Sequence, residues 1–195
     1  LPQVQVLRAA LDLHAIASLC QPKSLVDALR AFTSPPRLVV TDSQVFKEVA
    51  SIVPMSVPLT SFSMLLARAK GPFLQYMEGA MAIDNLSSGD RVLILESCTH
   101  TASCEDIGRI KLPRMLSLHA GTTLQFDFIS GMSEIVRPIT DYSLVVQCGG
   151  CVATPRQIYA RLAPAISAGV PITNYGIALA HLAGILPRAT QVFRQ

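Results

Sequence analysis

Short apolar runs alternate with helical patterns along the whole chain. Six runs of four to eight residues are rich in Val, Ile and Leu. Continuous apolar runs of this length are typical of strands that are buried in a parallel sheet. A weaker run over residues 15–20 is predicted as an additional first strand. The six clearer strands are predicted over residues 37–41, 57–60, 91–95, 122–129, 142–146 and 170–173.

Apolar residues at helical spacing fill most of the intervals between these strands. Side chains three and four positions apart share one helix face, and several of the segments are preceded by a capping Ser, Asp or Asn. Gly121 and Gly169 are suitable residues for ending a helix. The predicted helices cover residues 24–32, 42–52, 62–70, 73–86, 112–119, 155–167 and 174–183.

The alternation of strands and helices predicts the fold class. Strand–helix–strand connections within one sheet are right-handed and give parallel strands. Gly71-Pro72 interrupts the pattern and separates two such series. We therefore predict an α/β protein of two small Rossmann-like units, with parallel sheets flanked by helices, which meet near residue 70.

Composition excludes two classes of partner. Half of the 195 residues are apolar, only 15% are charged, and the net charge is +3, which is too small for a nucleic-acid-binding surface. The charge-free stretches 49–67 and 162–187 are interrupted by prolines, so we predict no membrane span. No secretory signal is recognised, and we expect a cytoplasmic protein. The high mean hydropathy of +0.43 is explained by buried strands.

The first series of elements is too small to cover itself. Residues 1–70 are predicted to form three or four short strands, whose edges and helix faces would remain exposed. We therefore predict a homodimer formed through this region.

The cysteines carry the candidate chemistry. There are five, and an odd number without a secretory signal argues against a disulfide framework. Cys148-Gly-Gly-Cys151 follows the strand 142–146, and Cys98-Thr-His100 follows the strand 91–95. Because the carboxyl ends of parallel strands share one edge of a sheet, these two segments are predicted to converge.

Spacing leaves several chemistries open for these thiols. Cys148 and Cys151 could form a redox dithiol at the start of a helix, where thiol pKa values fall. They could be half of a zinc site completed by Cys98 and either His100 or Cys104. With Cys98 they could also hold an iron-sulfur cluster, and inert cysteines are a fourth interpretation.

Several motifs in order carry a resemblance to a known family. The segments are Glu96-Ser-Cys-Thr-His100, Cys104-Glu-Asp-Ile-Gly-Arg-Ile-Lys-Leu-Pro113, Cys148-Gly-Gly-Cys151 and Gly169-Val-Pro-Ile-Thr-Asn-Tyr-Gly176, together with Leu38–Phe46 and Pro58–Phe62. Together they resemble the HydF family, the maturation GTPases of FeFe hydrogenases. The resemblance spans essentially the whole chain. It implies a dimerisation domain over residues 1–70 and an iron-sulfur cluster-binding domain over residues 71–195.

The resemblance also implies a ligand set. A 4Fe-4S cluster would be held by Cys98, Cys148 and Cys151. The family has a His directly before the Cys-x-x-Cys pair, whereas this chain has Gln147 there. The resemblance implies a carboxylate in the loop after Cys-x-His, so Glu105 is our first choice for the fourth ligand. An oxygen ligand on iron is easily displaced and would leave one iron exchangeable. Cys104 and His100 are the alternatives.

The function implied by the resemblance is that of a scaffold and carrier. It would receive a two-iron precursor from radical-SAM maturases and deliver it to apo FeFe hydrogenase. The sequence contains no Gly-x-x-x-x-Gly-Lys-Ser/Thr phosphate loop. We expect GTP binding and hydrolysis to reside in a domain outside this chain, which would then not itself be an enzyme. The alternatives are a Cys-x-x-Cys thiol oxidoreductase or a zinc-binding α/β domain.

Other polar residues receive ordinary expectations. Cys20 ends an apolar run and is predicted to be a buried thiol. His14, His119 and His181 show no spacing that suggests metal binding, and they are expected to be structural or exposed. Asn174 is either a helix cap or a group that binds precursor ligands. Asp106, Arg109 and Lys111 are expected to be solvated loop charges.

Overall fold

The computed structural model describes residues 2–97, 106–131 and 133–193. The helices are α1 Pro2–Asp12, α2 Leu25–Ala31, α3 Phe46–Ile52, α4 Phe62–Lys70, α5 Phe73–Met81, α6 Leu112–Ala120, α7 Pro155–Ser167, α8 Tyr175–Leu182 and α9 Leu186–Thr190. The strands are β1 Val39–Thr41, β2 Leu59–Ser61, β3 Arg91–Glu96, β4 Gln125–Ser130, β5 Leu144–Gln147 and β6 Ile172–Asn174. No helix in these ranges is long and apolar enough to span a bilayer.

The chain divides into two compact units. One comprises Leu1–Leu65 together with Ile185–Gln195, and the other comprises Leu66–Gly184. Both contain a parallel sheet that is accompanied by helices. The predicted α/β fold class, with two Rossmann-like units, is therefore confirmed.

The first unit is built on the parallel pair β1 and β2, in which Val40 lies opposite Thr60. Helix α9 contacts β2, and the Thr60 hydroxyl donates to the carbonyl of Ala189 at 2.7 Å. The guanidinium of Arg188 donates to the carbonyls of Pro54 and Val57 at 2.9 and 2.8 Å. These bonds tie the C-terminal segment to the loop that leads into β2.

The second unit contains a four-stranded parallel sheet in the order β4-β3-β5-β6. The central strands β3 and β5 are buried on both faces, because Val92 through Leu95 and Leu144 through Val146 are all fully inaccessible. Parallel sheets require this burial, which is why their strands appear as continuous apolar runs. One face packs on α6 and α8 through the cluster Ile83, Val92, Ile94, Leu112, Leu116, Leu144, Val146 and Ala178.

Many elements lie where the pattern predicted them. Helices α4 and α7 have the predicted bounds, and the other predicted helices and strands agree to within a few residues. Gly121 caps α6 with a φ of 64°, as expected of a glycine at that position. Asn174 caps α8 by accepting a hydrogen bond from the Ile177 amide at 2.9 Å.

The beginning of the chain differs from the prediction. Residues 15–20 are not a strand, so the first unit has two strands among the described residues rather than three or four. Cys20 is exposed, and its prediction as a buried thiol is wrong. An apolar run forms a buried strand only when a neighbouring strand pairs with it, and this segment has no such neighbour in the described chain.

Apolar side chains in this first segment are left uncovered. Helix α1, which the sequence pattern did not predict, has no buried residue. Leu13 and Ile16 are 79% and 95% exposed, and Leu11 and Leu19 are also largely exposed. Contiguous apolar exposure of this kind is typical of a surface that another protein chain covers.

Candidate metal centre

The carboxyl ends of β3 and β5 bring the two cysteine-bearing segments together. Leu95 pairs with Gln147 in the sheet, and the Cys148 amide donates to the Leu95 carbonyl at 2.8 Å. Just beyond the strand ends, the Ser97 amide donates to Sγ of Cys148 at 3.0 Å. The residue that precedes Cys98 in the chain is therefore in direct contact with the Cys148 thiol.

Gln147, the last residue of β5, also joins Ser97 to Cys148. Its side chain is fully buried. Nε2 donates to Oγ of Ser97 at 2.8 Å and lies 3.4 Å from Sγ of Cys148. Its Oε1 is buried without a hydrogen-bond partner among the described residues. Such orphaned buried acceptors are rare in native proteins, and a bound ion or a functional role is among their explanations.

A buried cation lies near the Cys148 thiol. Arg161 of α7 is 7% exposed and donates from Nη2 to the Ile129 carbonyl at 2.9 Å, and from Nη1 to the Gly131 carbonyl. Burial lowers the pKa of Arg161, and the nearby Cys148 charge acts in the opposite direction. The guanidinium is therefore a buried positive charge within electrostatic range of the Cys148 sulfur.

The backbone of the Cys148–Cys151 loop is held by Lys70. Its ammonium group donates to the carbonyls of Gly150, Cys151 and Ala153 at 3.0, 2.9 and 3.1 Å. Gly150 adopts a φ of 60°, in the left-handed region that glycine enters without strain. A Cβ at this position would lie 2.6 Å from Cδ1 of Ile158. The loop conformation therefore depends on both a glycine and a cation.

The helix that follows does not begin at the cysteines. Helix α7 starts at Pro155, and Thr154 caps it by accepting from the Gln157 amide at 3.3 Å while Gln157 accepts from the Thr154 amide at 2.8 Å. This reciprocal capping box satisfies the first amides of the helix. Cys151 lies four residues before α7, so these capped amides are not next to either thiol in the chain.

A polar cluster joins the ends of β3 and β4. Arg109 donates from Nη2 to the Glu96 carboxylate at 2.9 Å, and the Ser130 hydroxyl donates to the same carboxylate at 2.8 Å. Burial acts to raise the pKa of Glu96, but the bonds from Arg109 and Ser130 outweigh it and hold that pKa below its usual value. Arg109 also lies over the Phe128 ring at 5.9 Å. Arg109 is therefore an exposed charge, as the sequence predicted, and it is also paired with Glu96 and Ser130.

Arg109 belongs to the π-helical segment Asp106–Lys111, which leads into α6. Such segments are rare and are frequent at functional sites. Of the predicted ligands, Cys148 is buried and Cys151 is partly buried in the loop described above. Cys98, His100, Cys104 and Glu105 lie outside the described residues. The described part of the site, a buried thiol with amide donors and a nearby cation, fits a thiolate-ligated cluster.

Sequence reasoning missed a second group of side chains that could bind a metal ion. Asp84, His119 and His181 place one ligand atom each within 4.8 Å of one another. They are separated by 34 and 61 intervening residues and form no local motif. His119 and His181 share a position near the end of a helix. That feature does not by itself indicate metal binding.

Comparison with protein families gives two matches, one for each part of the chain. Residues 1–71 match the Hydrogen maturase F dimerization domain, and residues 74–192 match the Hydrogen maturase F tetramerization domain. No curated protein matches the chain significantly.

Proposed function

The chain belongs to the HydF family and therefore has a role in hydrogenase maturation, and we propose that it acts there as a cluster-binding scaffold and carrier. It holds a 4Fe-4S cluster at the carboxyl edge of the second unit's sheet. It receives a two-iron precursor from radical-SAM maturases and delivers it to apo FeFe hydrogenase. In this proposal the two-iron precursor is the molecule that is transferred, and the apo hydrogenase is the protein that receives it. GTP is bound by a domain outside this chain.

The hydrogen bond from the Ser97 amide to Sγ of Cys148, at 3.0 Å, carries this proposal. It joins the segment leading to Cys98 with the Cys148–Cys151 loop, although 49 residues lie between Cys98 and Cys148 in the chain. Cys98, Cys148 and Cys151 are proposed as the three thiolate ligands. Hydrogen bonds to ligand sulfurs are one of the means by which proteins tune iron-sulfur clusters.

The residues around the thiols have distinct roles in the proposal. Gln147 donates toward Cys148 and does not provide the imidazole found in the family at this position. Arg161 offsets the negative charge of the thiolates, and Lys70 holds the loop that carries Cys151. When bound, a cluster with three thiolates and one displaceable ligand supplies an exchangeable iron site. Glu105 is proposed as that displaceable ligand, with Cys104 and His100 as alternatives.

The first unit is proposed as the surface through which two copies associate. The match to a dimerization domain supports a homodimer. The exposed apolar side chains of Leu11, Leu13, Ile16 and Leu19 are suited to burial against a second copy. We propose a cytoplasmic setting, because a reducing compartment keeps cysteine ligands available for iron.

Anaerobic reconstitution with iron and sulfide tests the cluster proposal. We expect about four irons per chain in the unaltered protein, a large loss with Cys148→Ser, and no change with Cys20→Ser, which removes an exposed thiol. Glu105→Ala should retain the iron and alter the EPR spectrum. Equal iron content in the Cys148→Ser and Cys20→Ser variants would contradict the proposal.

The thiol oxidoreductase alternative makes the opposite prediction. It requires a reversible Cys148–Cys151 disulfide and an accessible attacking thiolate. The buried position of Cys148 and the separate cap of α7 do not favour it. Reversible disulfide formation with insulin-reductase activity, together with failure to incorporate iron, would establish this alternative instead.

A further inference from the structure

Three side chains from three elements of the second unit converge on one point. Asp84 lies in the turn Ala82–Asn85, His119 in the last turn of α6 and His181 in the last turn of α8. Nε2 of His119 lies 2.7 Å from Oδ1 of Asp84, and Nε2 of His181 lies 2.8 Å from the same oxygen. The two imidazole rings are T-shaped with centroids 6.0 Å apart, so both edges are directed at a single carboxylate oxygen.

The three positions are fixed by the core beneath them. Ile83 precedes Asp84, Leu116 lies one turn before His119, and Ala178 lies one turn before His181. All three of these apolar residues are fully buried in one cluster. The ligand atoms are therefore held by packed elements, and such support is what keeps a metal site in a defined geometry.

We propose that Asp84, His119 and His181 form a binding site for a divalent transition-metal ion, with Zn²⁺ as the best match. Two imidazoles and one carboxylate are an established donor set for zinc, with solvent in the fourth position. The carboxylate side chain is 42% exposed and the histidine side chains are 38% and 13% exposed, so solvent can reach the ion. Carboxylate and imidazole also suit other first-row divalent ions, whose affinities rise toward copper.

The spacing needs only a small adjustment. Zinc binds nitrogen and oxygen at about 2.0 to 2.2 Å, which sets ligand atoms about 3.3 Å apart in a tetrahedron. The two Nε2–Oδ1 distances are shorter than this by about half an ångström, and a small rotation of the exposed Asp84 side chain suffices to lengthen them. The ion would replace the two hydrogen bonds with three coordinate bonds.

The competing interpretation is a hydrogen-bonded tie, in which the three side chains only connect their elements through hydrogen bonds and bind no ion. Histidine in the last turn of a helix interacts favourably with the helix dipole, which is an ordinary reason for its position. That effect does not require two helices to aim their histidines at the same carboxylate oxygen. The proposed site also lies away from the cysteine loop, because the C-terminal ends of α6 and α8 are at the amino end of the sheet. It does not depend on the cluster proposal.

Zinc titration of the metal-free full chain tests this inference. Binding of Zn²⁺ alone is measured at neutral pH by competition with a chromophoric chelator, since cysteines are expected to bind zinc as well. We expect His119→Ala and His181→Ala each to bind one equivalent less than the unaltered chain. His14→Ala is the matched control, because it removes an exposed histidine of the first unit and should leave the stoichiometry unchanged.

Cobalt distinguishes the two donor sets. Co²⁺ at a nitrogen and oxygen site gives visible ligand-field bands without the near-ultraviolet charge-transfer band of a thiolate site. We expect Cys148→Ser to retain the equivalent that lacks charge transfer and His119→Ala to lose it. Loss of it in Cys148→Ser with retention in His119→Ala would overturn the proposal.

Folding is controlled by a conservative variant. Asp84→Asn keeps an oxygen that accepts the histidine hydrogen bonds but removes the charge that binds the ion. We expect its zinc affinity at this site to fall at least about 10- to 100-fold, the loss seen when even outer-shell partners are mutated. Its circular dichroism without metal should match that of the unaltered chain. Equal zinc stoichiometry and affinity in the folded Asp84→Asn variant and the unaltered chain would show that these residues form only a hydrogen-bonded tie.

Discussion

The two ends of the second unit's sheet offer different environments for metal ions. At the carboxyl end, Cys148 is buried and its sulfur accepts an amide hydrogen bond. Lys70 holds the Cys148–Cys151 loop, and Arg161 holds the end of β4. At the amino end, Asp84 and His119 are half-exposed and lie near the ends of a turn and a helix. The first environment is largely buried and provides thiol ligands, whereas the second is open to solvent and provides only nitrogen and oxygen ligands.

This difference concerns stability as well as ligand type. The groups that shape the carboxyl end also satisfy partly buried backbone carbonyls, so they contribute to folding and to the site at the same time. The polar groups at the amino end contact one another near the surface, where hydrogen bonds and ion pairs contribute little to folding. Substitutions at the carboxyl end should therefore destabilise the protein more than those at the amino end.

The largest expected effect is that of Arg161→Leu. This substitution leaves the carbonyls of Ile129 and Gly131 without their guanidinium donors in a partly buried position. The free energy of unfolding should fall by about 3 kcal/mol, since unsatisfied buried acceptors and lost charged hydrogen bonds are costly. Urea unfolding measures the change.

Arg156→Leu is the matched control for this experiment. Arg156 lies on the same helix but is exposed, so its replacement should change the free energy of unfolding by no more than about 0.5 kcal/mol. If the two leucine variants are equally stable, the carboxyl end does not depend on its buried cation and the contrast between the ends disappears.

A pair of glycine substitutions compares the two ends directly. Gly150 at the carboxyl end and Gly121 at the amino end have φ values of 60° and 64°. Alanine at Gly121 meets no atom within 4 Å, whereas a Cβ at Gly150 meets Ile158 at 2.6 Å. Gly121→Ala should cost about 1 kcal/mol from backbone strain, and Gly150→Ala about 2 kcal/mol because overpacking is added.

The same two substitutions distinguish an effect on folding stability from an effect on iron content. Thermal unfolding gives the stability of both variants, and anaerobic reconstitution gives their iron content. We expect reduced iron in Gly150→Ala and unchanged iron in Gly121→Ala, because of these two glycines only Gly150 lies between Cys148 and Cys151. Equal iron loading in both variants would mean that the conformation of the Cys148–Cys151 loop is not critical for the cluster.

The fold could be predicted from the sequence mainly where a strand is buried on both faces of the sheet. Strands β3 and β5 were recognisable because both faces are covered, which leaves uninterrupted apolar runs. Helix α7 was recognisable because Pro155 is suited to the first turn of a helix and Gly169 to the position after its end. Residues 15–20 were mistaken for a strand because an apolar run carries no information about whether a neighbouring strand is present.

The two candidate sites differ in the same way. Cys148 and Cys151 are close in sequence and follow a recognisable strand, so sheet topology was enough to predict that they lie near the end of β3. Asp84, His119 and His181 come from distant segments, and only the packing of Ile83, Leu116 and Ala178 brings them together. Gln147 and Arg161 were also not predicted as site residues from composition or spacing, because their roles depend on hydrogen bonds to other elements.

An effect no larger than that of Gly121→Ala is expected at Tyr142, which lies before β5 near the amino end. Its hydroxyl donates to the Asp127 carboxylate at 3.0 Å. Burial first, and then this hydrogen bond and the Asp127 charge, raise the pKa of Tyr142 to about 12. At neutral pH, Tyr142→Phe should cost about 1 kcal/mol, which is the net value of one hydrogen bond.

The pH dependence makes this last prediction specific to Tyr142. A pKa that is raised on folding gives stability that is complete below the unfolded tyrosine pKa of about 10 and is lost as the pH rises toward 12. The unaltered chain should therefore become less stable across this window, and Tyr142→Phe should show a weaker dependence. Tyr159→Phe, which alters a half-exposed tyrosine, serves as the control. Urea unfolding from pH 8 to pH 11 that gives parallel curves for all three proteins would exclude this contribution. The stability of the amino end would then rest on the ion pairs that Asp127 makes with Arg91 and Arg137.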